Sequence, residues 1–421
     1  YARIRRQFNI SIGKFEGVQM PLARIAALTY MIDAGRSFTA AALDRGEKPS
    51  IASAILKYHT TEMGRIAAND AMDIHGGKGI CLGPNNYLGR GYESVPIAIT
   101  VEGANILTRN LIIFGQGAMR CHPYIYSELQ AAQMQDEPAA LTAFDKAIIG
   151  HLGYSISNFA RALILNWTGG IFSRAPGGKT RRYFQKLKAY SAGFALTADM
   201  SLIILGGALK RKETISARLG DILSYLYMAS ALLKHFHEQQ SPDDDMPVVK
   251  WACEYYFMKI EEAFFGLFRN FSNRFAAFFW RLIIFPLGRS HFGPKDKLST
   301  DVAELVMSPT PTRTRIIAGI PEGTHLLQIV EDALLKSMAS EPVEKILKKA
   351  QTDKTITGIT LSDLAKSALA AQIISAADCA TVVEAELARH LVIAVDDFAP
   401  EDLIRVGGDM HHATATKKKP K

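Results

Sequence analysis

Glu102-Gly103 is the pair best suited to chemistry. The carboxylate and glycine follow apolar Ile97, Ala98, Ile99 and Val101. Beyond them Ile106, Leu107, Asn110, Leu111 and Phe114 recur at helical spacing, which places Glu102 at or just before a helix start. A carboxylate there is favoured by the helix dipole and needs no other role. In an apolar pocket the same group is a general base, because desolvation raises its pKa toward the working pH. On this stretch alone the first reading is favoured.

A second chemistry is offered by Asp73-Ile74-His75-Gly76-Gly77-Lys78-Gly79-Ile80. Glycines 76, 77 and 79 permit positive φ and close backbone approach, so exposed N–H groups can meet a phosphate. A glycine-rich helix end is more often a C-cap, and His75 reads as a capping residue. Near the start, Arg5-Arg6-Gln7-Phe8 supplies a bidentate phosphate clamp in Arg5 and a flat apolar face in Phe8. The plainer reading is an exposed basic pair and one core phenylalanine.

Two long helices must position these groups. Leu22, Ile25, Ala26, Tyr30, Met31 and Ala34 keep helical spacing from Met20 to about Gly46, and Asp44–Ser50 reads as a turn. Ser50 is expected to cap a second helix through Ile55, Met63 and Ala71 that ends at Gly76-Gly77. Such an antiparallel pair belongs in a helical bundle. A Gly/Pro/Asn-rich loop then leads toward Glu102.

In this order, Arg5-x-x-Phe8, the helical pair, the Asp73–Gly79 turn and Glu102-Gly103 resemble the C-terminal helical domain of acyl-CoA dehydrogenases. From about Leu141 onward the chain resembles the extra C-terminal region of the long bacterial fatty-acid members. It reads as a fragment of such an enzyme. The resemblance implies FAD, with Gly76 and Gly77 against its pyrophosphate and adenine half. Asp73 stands where the family usually has glutamine, and an acid near a pyrophosphate must point elsewhere. Arg5 and Phe8 match residues that touch the FAD of a neighbouring subunit, so at least a homodimer is implied. Ala104 and Ile106 fall on a segment that also touches FAD, and Arg109 falls on a family arginine. The family often has an Arg-Asp pair before its glutamate; here Arg90 is the nearest arginine and no Asp follows it.

The implied activity is α,β-dehydrogenation of a medium- or long-chain fatty acyl-CoA to the trans-2-enoyl-CoA, the first step of β-oxidation. Glu102 takes the α-proton and electrons pass on to an acceptor flavoprotein. In the family an N-terminal helical domain and a β-domain complete the site, so this piece alone is expected to be inactive. Two rivals stay open: a non-catalytic helical scaffold or membrane-associated module, and a flavin acyl-CoA oxidase.

The rest of the sequence bounds these readings. No segment has the period-2 alternation of a convincing sheet, so the fold class is all-α, an orthogonal or four-helix bundle in 1–130 and a helical extension in 138–421. Four scattered cysteines argue against a zinc site or disulfide framework, and no metal is expected. The net charge of +8 is partly carried by the terminal lysines, and no nucleic-acid module is present. Asp199 interrupts the apolar run Tyr190–Leu209, which argues against a membrane span. Asp199, Arg218 and Asp221 are candidates for a polar network. Between Tyr255 and Gly288, phenylalanines and Trp280 alternate with arginines, a pattern that suits a buried helix or an interfacial membrane helix. The very-long-chain family members attach to membranes through a C-terminal extension. The expected location is cytoplasmic, with peripheral contact at the inner face of the membrane.

Overall fold

The computed structural model describes residues 1–320 and 325–396. The expected all-α class holds, with one addition. Strands β1 (Arg6–Gln7) and β2 (Ile10–Ser11) pair antiparallel. Phe8 and Asn9 form the turn, both left-handed at φ 52° and 62°, the geometry a two-residue hairpin needs. Two-residue strands are too short for alternation to register.

Helix α1 (Glu16–Asp44) and α2 (Ser50–His75) form the antiparallel pair. Ser50 is the first helical residue rather than the cap; Pro49 occupies that place without a side-chain bond. The short α3 (Gly77–Ile80) follows, then α4 (Gly89–Thr100) and α5 (Asn105–Leu107). Helix α5 runs into a π-helical stretch, Thr108–Gln116, and on into α6 (Gly117–Cys121). Helix α7 (Ile125–Ala131) follows, and α8 (Glu137–Trp167) begins at its Asp136 cap.

Next come α9 (Arg181–Leu205), α10 (Glu213–Glu238), α11 (Met246–Asn270), α12 (Arg274–Ile284) and α13 (Asp296–Val306). Thr310 caps α14 (Pro311–Ile317) by accepting from Arg313 N–H at 3.2 Å. Last are α15 (His325–Thr352), α16 (Leu361–Ala370) and α17 (Ala376–Ile393). Capping boxes on Thr360 and Ser375 start the final two. The His411-His412 pair and lysine tail lie outside the described residues.

The bundle is completed by the extension. Helix α1 packs on α2, α10, α11 and α13. Its buried face includes Ala23, Ala26, Ala27 and Ala34, and small side chains let neighbouring axes approach closely. Helix α10 is apolar on nearly every side, from Leu219 and Ile222 to Leu232 and Phe236, as a central helix must be. One core therefore joins residues on both sides of the expected boundary near 130.

The aromatic stretch is core on one helix and partly exposed on the next. On α11 and just beyond, Tyr256, Phe257, Phe264, Phe268 and Phe271 are core. Helix α12 buries Ala277, Trp280, Ile283 and Ile284 but presents Phe275, Phe278, Phe279 and Leu282 to solvent, Phe275 being 74% exposed. Of the apolar run, the helix Arg181–Arg211 is long and apolar enough to cross a membrane, though Asp199 is buried within it.

The last helices reach back to the N-terminal residues. Arg3 holds Glu341 of α15 through two bonds, at 2.8 and 2.9 Å, and Arg6 pairs with Glu344. Ile4 is fully buried with Ala333, Leu334, Ala388 and Val392. The hairpin carrying Arg5 and Phe8 is thereby fixed in place.

Candidate active site

Glu102 sits in the turn between α4 and α5, exposed, at φ +58°, with Gly103 at φ +96°. A non-glycine residue in this region is strained and persists only where its surroundings hold it. The apolar enclosure expected around the carboxylate is not supplied by the described residues. Instead Ile97, Val101, Ile106 and Leu107 stand exposed beside it in the chain.

What holds the turn is Lys57 of α2, whose ammonium donates to Ile99 O, Gly103 O and Asn105 Oδ1. Buried Asn105 donates in turn to Thr61 Oγ1 and Glu62 Oε1. Sequence reasoning missed both residues. Lys57 lies far from Glu102 in the chain and looks like any helix-surface lysine; Asn105, after Glu-Gly, looks like any helix-start polar residue.

The glycine turn closes α2. Gly76 has φ +54° and ψ −132°, a conformation open essentially to glycine alone. Gly76 and Gly77 are exposed, and a Cβ built on either meets no heavy atom within 4 Å. Gly79 is a packing glycine, with the Met72 sulfur 3.1 Å from where its Cβ would be. Asp73 is exposed on the last turns of α2. His75 is wedged in place: it stacks on Tyr1 at 4.0 Å, and its ring nitrogens meet Ala71 O at 2.7 Å and the Tyr87 hydroxyl at 2.6 Å. Burial pushes its pKa down to about 4.

Arg5 is half-buried beside Tyr1, where it pulls the phenol back against the rise that burial causes. Phe8 is not a core residue. It is 87% exposed at the hairpin tip, touching Phe15 edge-on at 6.3 Å. The structure thus brings the Arg5 segment and the glycine turn together through the Tyr1–His75 stack. Glu102 is elsewhere. Its turn docks on α2 at Lys57–Glu62, and at 1.5 Å per residue Gly76 lies roughly 20 Å further along that helix. Ala104 and Ile106 are both exposed beside Glu102.

Asp199, Arg218 and Asp221 do not form one network. Asp221 binds Arg109. Arg218 turns back to Thr214 O at 3.0 Å. Asp199 accepts from Ser155 and from His151 Nε2 at 2.7 Å, while His151 Nδ1 meets Glu128 at 2.7 Å. Burial opposes charge on His151, but the two carboxylates outweigh it and hold the pKa above its ordinary value. Ligand atoms of His122, His151 and Asp199 lie within 4.8 Å of one another. Both His151 nitrogens are engaged by carboxylates, so the group closes as an ion cluster. It borders a cavity of ≈1070 Å³ between the Thr108–Gln116 stretch, α7, α8 and α9, where leucine and isoleucine are the commonest lining residues.

Residues 119–398 match the acyl-CoA dehydrogenase C-terminal region of bacterial type, and residues 1–115 match the acyl-CoA dehydrogenase C-terminal domain. The chain belongs to the acyl-CoA dehydrogenase family. This family uses FAD, and its members are oxidoreductases acting on CH–CH bonds. The 3-(aryl)acrylate reductase of Clostridium sporogenes (strain ATCC 15579) is 30% identical over 112 residues, covering 27% of this chain and 29% of the relative. The acyl-CoA dehydrogenase of Bacillus anthracis, solved in complex with FAD, superposes with a TM-score of 0.52 at 17% identity, covering 73% of this chain and 51% of that one. At that identity the likeness concerns the fold. The chain spans about half the length of that dehydrogenase and under a third of the reductase.

Proposed function

We propose that this acyl-CoA dehydrogenase chain is the C-terminal part of an enzyme that removes the α-proton and β-hydride of a medium- or long-chain fatty acyl-CoA. The reading rests on the Glu102 turn. A carboxylate is held at a strained backbone position, with Ile97, Val101, Ile106 and Leu107 bare around it. A base at an apolar docking face is what α-proton abstraction requires, once the face is covered and water is excluded.

The residues of this chain suit FAD. Gly76 and Gly77 leave the space over their backbone open for a phosphate, and Phe8 offers an unobstructed flat face. Arg5 is the nearby cation of the Arg-x-x-Phe segment. Asp73, one turn earlier, is the member of the set least suited to an anion. Bound FAD supplies the hydride acceptor. Glu102 holds and removes the α-proton, and Ala104 and Ile106 lie beside that position. Because the glycine turn stands roughly 20 Å from the Glu102 dock, we assign the two to opposite ends of one extended cofactor or to two cofactors shared across a homo-oligomer. An acceptor flavoprotein takes the electrons onward, the role is in fatty-acid β-oxidation, and the exposed aromatics of α12 lie at the inner face of the cytoplasmic membrane.

A second reading follows from the Clostridium sporogenes relative, named as a reductase of an aryl-substituted double bond. In that reading Glu102 of this chain delivers a proton to one carbon of the double bond, and reduced flavin would supply the hydride to the other.

The test uses the full-length protein, wild type and Glu102→Gln, mixed anaerobically with a long-chain acyl-CoA while flavin absorbance is followed. Rapid bleaching in wild type, lost in the variant with the flavin still bound, supports the proposal. Bleaching indifferent to the substitution refutes it. Bleaching only by an external reductant, reversed by an arylacrylate, favours the second reading.

A further inference from the structure

We infer that Lys57 is a positioning residue for Glu102, acting through the backbone of its turn; this rests on the reading of Glu102 as the base. The Lys57 ammonium has three N–H donors, and each has a partner: Ile99 O at 3.2 Å, Gly103 O at 2.8 Å and Asn105 Oδ1 at 2.6 Å. Those acceptors lie on both sides of Glu102 in the sequence. One comes from the last turn of α4, one from the residue after Glu102 and one from the first residue of α5. A single cation therefore clasps the two arms of the turn.

The clasp is itself anchored. Lys57 lies within α2, a helix of 26 residues, and Asn105 carries the restraint back to that helix through Thr61 Oγ1 at 2.9 Å and Glu62 Oε1 at 2.8 Å. Gly103, at φ +96°, adopts a positive φ freely, but Glu102 at φ +58° carries a Cβ, and its surroundings must hold it there. The Lys57 bonds supply the determination that this conformation needs. They use carbonyl oxygens rather than the Glu102 carboxylate, which has no hydrogen-bond or ion-pair partner among the described residues and is free to meet a proton. A helix-borne cation clasping backbone carbonyls gives sub-ångström control over a catalytic group without neutralising it.

Loss of the clasp is expected to misplace the base while leaving remote binding intact. A misplacement of about 1 Å costs on the order of 100-fold in rate. The experiment compares wild type, Lys57→Met, Lys57→Arg, Asn105→Ala and Glu102→Gln in the full-length holoenzyme with a saturated long-chain acyl-CoA. Anaerobic flavin reduction, KM, bound flavin and exchange of the substrate α-proton with deuterated solvent are measured for each. Lys57→Met should lower kcat about 10- to 100-fold and slow α-proton exchange equally, with KM and flavin content held. Lys57→Arg should recover part of the loss, and Asn105→Ala should fall between.

The ways of failing separate. If Glu102→Gln exchanges and reduces like wild type, the base assignment is wrong, and Lys57 has nothing to position. If Glu102→Gln is inactive while Lys57→Met keeps wild-type kcat and exchange, the inference about Lys57 alone is overturned. Should Lys57→Met fail to fold, Asn105→Ala decides: wild-type kcat there overturns the clasp, and a selective loss of kcat and exchange upholds it.

Discussion

Arg109 and Asp221 form a two-pronged ion pair, Nε to Oδ1 at 2.7 Å and Nη2 to Oδ2 at 2.5 Å. Arg109 stands on the π-helical stretch that follows the Glu102 turn, and Asp221 on central helix α10 of the extension. Burial pushes the Asp221 carboxyl up, and the guanidinium only partly offsets it. The pair is thus costly to bury and costlier to break. Asp221→Ala should destabilise the chain by about 2 kcal/mol, discounted from a fully buried pair because Arg109 is over a third exposed. Urea unfolding measures it, and Asp221→Ala combined with Arg109→Met should cost less than the two singles summed.

Phe8 separates binding from stability. Because it is almost wholly exposed, Phe8→Ala should leave the melting temperature of the full-length protein within about 2 °C, a surface substitution costing at most about 0.5 kcal/mol. It should nonetheless lower retained flavin. Flavin absorbance after gel filtration is the readout, and unchanged occupancy would count against a cofactor contact at this tip.

Acidification should unfold the chain through buried histidines. Burial drives His75 down to about 4 and His59 to about 3, so both are neutral in the fold. In the unfolded chain each takes a proton near its ordinary 6.5. Their stability contribution is therefore complete above pH 6.5 and lost as pH falls through about 4 and then 3. For His75 the interval corresponds to about 3 kcal/mol. Unfolding midpoints between pH 7 and 4 test this, and His75→Phe should flatten the slope.

One shared core predicts one transition. Leu232 on α10 is fully buried in the cluster that also holds Leu28 and Met31 of α1. Leu232→Ala should cost about 2–5 kcal/mol, and calorimetry should show α1, α2 and α10 melting together. A separate early transition for residues 1–115 would contradict a common core.

The exposed face of α12 gives the membrane proposal a direct test. Phe275→Ser with Phe278→Ser should abolish sedimentation with vesicles containing anionic lipid while leaving thermal stability nearly unchanged, since both rings already face solvent. Equal sedimentation of wild type and variant would remove α12 from membrane contact.

The sequence by itself determined the helices and the order of the chemical groups. Helical spacing and terminators are local properties, which is why α1, α2, the Gly76 break and the Glu102-Gly103 turn were legible. Their order also sufficed to suggest the family, because order is carried by the chain alone. Only the tertiary structure decided what each group touches. It set Phe8 outside the core, because a two-residue hairpin turn points its side chains away from the packed side. It divided the 255–288 aromatics between core and surface, because both faces of α12 are apolar and only packing selects which is covered. It joined Lys57 to the Glu102 turn and Arg109 to Asp221, contacts across 46 and 112 residues. No periodicity encodes such pairs, since they arise where separate helices meet and each partner's local sequence is ordinary.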